Sequence, residues 1–166
     1  MADANRTAVL FYSAYGNTRY IANGLARRLH AAVIEIEEEK PMKGLLGFIR
    51  GGFRAATTRP SPVVGEPWVE AKPYATLYLL TPIWAGQVAP AMHAVMQKLD
   101  FARKQVYVVT LQADPSGQGS RKVQDRMSRI IEKNGGSVEM AYTLHTAPPG
   151  SFAGSEQLDE ELGKLL

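Results

Sequence analysis

Short apolar runs alternate along this chain with longer stretches in which apolar residues return every three or four positions. Thr7-Ala8-Val9-Leu10-Phe11-Tyr12, Ala32-Val33-Ile34-Glu35-Ile36, Thr76-Leu77-Tyr78-Leu79-Leu80-Thr81, Gln105 to Leu111 and Ser137 to Leu144 are short and rich in β-branched or aromatic residues, and read as strands. Between them, Tyr20, Ile21, Leu25 and Leu29, then Met92, Val95, Met96 and Leu99, then Val123, Met127, Ile130 and Ile131 recur at helical spacing. Asn134-Gly135-Gly136 ends the third of these helices, and Leu158, Leu162, Leu165 and Leu166 mark a last one. The stretch from 40 to 73 is the least regular. Gly44-Leu45-Leu46-Gly47-Phe48-Ile49 and Phe53 suit a short apolar helix face, and Pro60, Pro62, Pro67 and Pro73 forbid a long helix after it. Strands apolar on both faces, alternating with helices, predict an α/β fold: a parallel sheet covered on both sides, in one domain spanning 1–166.

Composition narrows the chemistry. There is no cysteine, which excludes disulfides, thiolate metal sites, iron–sulfur clusters and cysteine nucleophiles together. His30, His93 and His145 are scattered without metal-ligand spacing, so redox work would need an organic cofactor. No run approaches the roughly 20 apolar residues of a membrane helix, and the polar start lacks a secretory core, so a cytoplasmic location is the expectation. The net charge of +3 is uneven. Lys40, Lys43, Arg50, Arg54 and Arg59 fall in one segment without an acidic residue, which leaves the rest of the chain net acidic. The segment is read either as an ordinary helix burying its apolar face, or as a contact for an acidic redox partner, a membrane surface or a quinone entrance through residues 40–59. Nucleic acid is not an expected partner.

Three loops follow strands, and in doubly wound sheets ligands bind at that edge. The first, Ser13-Ala14-Tyr15-Gly16-Asn17-Thr18, enters a helix and offers backbone N–H groups, hydroxyls and the positive helix end to an anion. Capping the helix is its plainer reading. The second, Pro82-Ile83-Trp84-Ala85-Gly86-Gln87, carries a tryptophan able to stack on a flat ligand or simply to pin its own loop. The third, 112–120, is Gly-rich. There is no G-x-G-x-x-G, no G-x-x-x-x-G-K-[ST] and no G-x-S-x-G. A phospho-receiver would need carboxylates where Tyr12-Ser13 and Thr81-Pro82 stand. A phosphate turn, an aromatic and a Gly-rich loop on one edge suit a single ligand with a phosphate and a flat ring.

With these motifs the chain resembles the flavodoxin family. The likeness rests on Leu10-Phe11-Tyr12-Ser13-Ala14-Tyr15-Gly16-Asn17-Thr18, on Thr81-Pro82-Ile83-Trp84-Ala85-Gly86, and on Leu111-Gln112-Ala113-Asp114-Pro115-Ser116-Gly117-Gln118-Gly119. It implies a flavodoxin-like five-stranded parallel sheet of order 2-1-3-4-5 with helices on both faces, and FMN as cofactor. The FMN phosphate would sit at Ser13, Tyr15, Gly16, Asn17 and Thr18. The ring would lie against Pro82, Ile83, Trp84, Ala85 and Gly86, with Gln112, Ala113, Asp114 and Gly119 along its edge. Tyr15 replaces the hydroxyl residue usual in that family, and the third loop lacks the second aromatic that often sandwiches the ring. One open ring face favours an oxidoreductase taking electrons from NAD(P)H to a quinone or similar acceptor. The alternatives are an electron carrier between protein partners and a flavin-free binding module.

Overall fold

The computed structural model describes residues 6–41 and 59–166. Eleven elements follow one another among them: β1 (Thr7–Tyr12), α1 (Asn17–Leu29), β2 (Ala32–Ile36), α2 (Pro67–Glu70), β3 (Thr76–Trp84), β4 (Gln87–Val88), α3 (Pro90–Lys98), β5 (Gln105–Gln112), α4 (Gln118–Lys133), β6 (Ser137–His145) and α5 (Ser155–Gly163). The main strands form a parallel sheet in the order β2-β1-β3-β5-β6, and β4 pairs antiparallel with the end of β3. Counting the main strands alone, this is the expected 2-1-3-4-5 order. The apolar segment 44–53 and most of the basic stretch lie outside the described residues. Lys40 and Arg59, at its two ends, are exposed.

Alternation along the central strands supplies two cores at once. On one face Leu10, Leu77, Leu79, Val106 and Val108 pack under Met92, Val95 and Met96 of α3 and Val123, Met127 and Ile131 of α4. On the other, Val9, Phe11, Leu80, Val109 and Leu111 pack under Ile21 and Leu25 of α1, Leu158 and Leu162 of α5, and Leu165 just after it. Each such side chain, taken fully out of water, contributes roughly 1.5–3 kcal/mol before entropy is counted. The helices therefore exist because their apolar stripes match the two faces of the sheet. That match also fixes where the loops emerge: every strand from β1 to β6 in the main sheet ends on the same edge.

β3 runs three residues beyond the stretch expected from sequence. Pro82, Ile83 and Trp84 are strand, with Pro82 opposite Leu111 of β5. Proline ordinarily argues against a central strand, but β1 has already stopped pairing with β3 at Phe11 and Leu80. Beyond that point one side of β3 is an open edge, and a missing N–H is tolerated. The turn that follows is a two-residue hairpin. Ala85 (φ 47°) and Gly86 (φ 69°) both take left-handed backbone between Trp84 and Gln87, as the tight hairpin turns require.

Candidate functional site

The chain leaves β1 for α1 and β2 on one side, and returns to lay β3 on the other. The sheet order reverses between β1 and β3, and the loops after them are forced apart there. The resulting cleft is shallow and open to solvent.

One end of the cleft is the start of α1, lined by Ser13, Ala14, Tyr15, Asn17 and Thr18. Gly16 caps the helix with φ 92°, a backbone that a side chain would strain, and its N–H donates to the Ser13 hydroxyl at 3.2 Å. The first backbone bond of the helix runs from Tyr20 N–H to Gly16 C=O at 3.0 Å, so the amides of Asn17, Thr18 and Arg19 precede any intrahelical acceptor. No acidic residue sits in the first turn. The Arg19 guanidinium is spent on Glu35. Among the described residues, an anion here would be held by amides and the helix dipole rather than by a cation.

The other end is built by Pro82, Ile83 and Trp84. The Trp84 indole is half-buried and meets the Tyr12 ring edge-on at 5.6 Å and 78°. Tyr12 is in turn anchored by donating its hydroxyl to the buried Glu38 carboxylate at 3.0 Å. Burial first, and the Glu38 charge second, hold the Tyr12 hydroxyl far above its usual pKa, so it remains a donor. Position 84 is thus set by a chain of contacts from Glu38, just past β2, through Tyr12 of β1 to the end of β3.

Leu111, Gln112 and Ala113 form the third side. Gln112 is buried. Its Nε2 has no hydrogen-bond partner among the described residues, although the side chain lies beside Gly117 and Gly119. A buried donor without an acceptor is costly, and this one is closed off from the open cleft. Asp114 turns its carboxylate to the Ser116 N–H and hydroxyl, which hold it below the ordinary carboxylate range.

Not every predicted position reaches the cleft. Gly16 sits behind its lining residues as the cap. Ala85 and Gly86 are exposed at the hairpin tip and shape the turn that presents Trp84. Gly119 lies in the first turn of α4 rather than in a loop, where a Cβ would come 3.3 Å from Gln112 Oε1. Its lack of a side chain leaves room for that of Gln112.

A fourth wall had no counterpart in the sequence reading. Thr146, Ala147, Pro148 and Pro149, leaving β6, also line the cleft. Thr146 N–H bonds Gln112 C=O at 2.9 Å, joining this wall to the third loop. Pro148-Pro149-Gly150 directly after an apolar strand was the signal available, since the edge rule applies to the last strand as much as to the first.

Among solved structures, the arrangement is similar to a flavoprotein in complex with FMN from Lactobacillus acidophilus (14% identity over 83% of this chain and 92% of that one, TM-score 0.65). It is similar to the Trp repressor binding protein of Bacillus subtilis (15%, 96% and 99%, TM-score 0.67) and to oxidised flavodoxin 2 of Bacillus cereus (18%, 96% and 94%, TM-score 0.58). The fold is flavodoxin-like. Comparison with family models and with curated proteins finds no match. In a flavodoxin-like sheet the cleft between the β1 and β3 loops is the expected ligand position, and the residues that line it fit an FMN group: amides for a phosphate, and an indole and Pro82 for a flat ring. Among the described residues there is no cluster of side chains able to hold a metal, and no helix long and apolar enough to cross a membrane.

Proposed function

We propose that this chain binds FMN in the cleft and uses it to pass electrons from NAD(P)H to a quinone or similar small acceptor. The observation that carries the reading is the pairing, across one cleft, of an acid-free helix start with the Trp84 indole. The flavin would supply the hydride and electron chemistry. The protein's share is to bind and orient. Ser13, Tyr15 and the amides of Asn17 and Thr18 would hold the phosphate. Trp84, Pro82 and Ile83 would flank the ring, and Gln112 and Ala113 would meet its edge. The third loop offers no aromatic to cover the second ring face, which leaves room for a small acceptor and supports an oxidoreductase over a carrier. The basic positions that include Lys40 and Arg59 support the second reading, an electron carrier docking an acidic protein.

Titration of the purified chain into FMN tests the first step. Quenched flavin fluorescence and a shifted visible band are expected, and an unchanged spectrum at high protein concentration refutes the reading. NAD(P)H oxidation by the FMN-loaded protein with a soluble quinone then separates enzyme from carrier.

A further inference from the structure

The likeness to flavodoxins puts Asn17 among the phosphate ligands, but its side chain is committed elsewhere. Asn17 is buried. Its Nδ2 donates to Ser151 C=O at 2.8 Å, and its Oδ1 accepts from Ala153 N–H at 2.9 Å. The amide thus reads two backbone groups either side of Phe152, as a neighbouring strand would. Phe152 is drawn over the start of α1, where a Cβ on Gly16 would lie 3.7 Å from its ring, and its edge meets Tyr20 at 6.1 Å.

This matters because of what precedes Phe152. The segment begins as the fourth wall of the cleft. Pro148 and Pro149 have no N–H, which removes two donors from the segment, and it belongs to no strand or helix. It is tied at its start by Thr146 N–H to Gln112 C=O and within itself by Ser151 N–H to Pro148 C=O. The Asn17 amide supplies the tie at its far end. One side chain at the anion end of the cleft therefore holds a wall whose other end is bonded to the ring-edge loop.

We propose that the Asn17 side chain is a positioning group for the ligand site: it acts on flavin through the 146–153 wall, and contact with the phosphate is left to the backbone amide. This rests on the FMN reading above. A phosphate ligand and a wall holder differ in one consequence. Loss of a phosphate contact weakens FMN and spares riboflavin, which has no phosphate. Loss of the wall weakens both by the same factor.

The test compares wild type and Asn17→Ala in two ways. Hydrogen exchange on the flavin-free proteins is expected to accelerate at least tenfold in 147–153, with β1 and β3 amides unchanged. Fluorescence titration is expected to show FMN and riboflavin weakened by an equal factor, about tenfold for hydrogen bonds of ordinary strength. A loss confined to FMN, or unaltered exchange in 147–153, overturns the proposal. If the alanine variant does not fold, Asn17→Asp keeps the acceptor for Ala153 and loses the donor to Ser151. Exchange confined to the same segment supports the tie, and unaltered exchange refutes it. If wild type takes up neither flavin, the function proposed above fails and the positioning role falls with it, while the exchange result still decides whether Asn17 holds the wall.

Discussion

Trp84 shows how a residue's chemistry depends on what stands behind it. Its ring is presented by a left-handed turn at Ala85 and Gly86, and braced by the edge of Tyr12. Ala85 is the strained member of that turn, since a Cβ at φ 47° costs roughly 1–2 kcal/mol, and such strain persists where surrounding structure dictates it. Replacing Trp84 with alanine is expected to weaken FMN by roughly 1–3 kcal/mol, the scale of a lost aromatic stack together with its buried area. Equal affinity in a fluorescence titration would remove the indole from the ring site. Tyr12 carries a separate, pH-dependent consequence. Its hydroxyl titrates far higher when folded than the ordinary value near 10, because the folded state buries it beside Glu38. A raised folded pKa means stability that is complete below about pH 10 and lost as pH rises further, once the unfolded chain can ionise and the folded one cannot. In Tyr12→Phe, denaturation curves are expected to show a shallower alkaline decline. They are also expected to show a loss of about 1–3 kcal/mol at neutral pH, because the buried Glu38 carboxylate loses its donor.

Between elements, close approach is bought with glycine, and two positions separate the kinds of approach. At Gly136, entering β6, a Cβ would stand 2.6 Å from Phe101 Cβ and 3.1 Å from its carbonyl, so relief requires backbone movement. At Gly24, on α1 against α5, a Cβ would meet only the Cδ2 tip of Leu162, at 2.5 Å. A leucine tip can rotate, and alanine returns about 1 kcal/mol of helix propensity. Gly136→Ala is therefore expected to cost about 1–3 kcal/mol or more and Gly24→Ala less than about 1. The reverse ranking in chemical denaturation would show that the β5–β6 end of the sheet is more pliant than its packing implies.

At the scale of the whole molecule, the cleft is assembled from segments that follow β1, β3, β5 and β6, elements spread over nearly the entire described chain. A ligand that touches all four binds only the folded sheet. FMN at one hundred times its dissociation constant is therefore expected to stabilise the protein by about 2.7 kcal/mol, visible as a concentration-dependent rise in Tm. A melting curve indifferent to FMN would mean that the ligand, if bound at all, does not bridge these segments.

Local chemistry made much of this protein legible from its residues. Apolar runs such as Leu77–Leu80 announce strands, helical spacing such as Val123, Met127 and Ile131 announces the covering helices, and Gly16 before Asn17-Thr18 announces a turn into a helix. These signals act between near neighbours, so they survive without knowledge of the fold. Pro82 misled for the same reason: its cost in a strand depends on whether a second strand still pairs beside it, and that is a fact about β1. Gly119 misled because its small size serves Gln112, seven positions back and across a turn. The wall at Thr146–Pro149 is tied to Gln112, 34 positions back, and the commitment of Asn17 to Ser151 and Ala153 joins residues more than a hundred positions apart. Side-chain pattern along a chain carries the period of each element; only the closing of the sheet decides which loop ends meet, and which of their polar groups remain for a ligand.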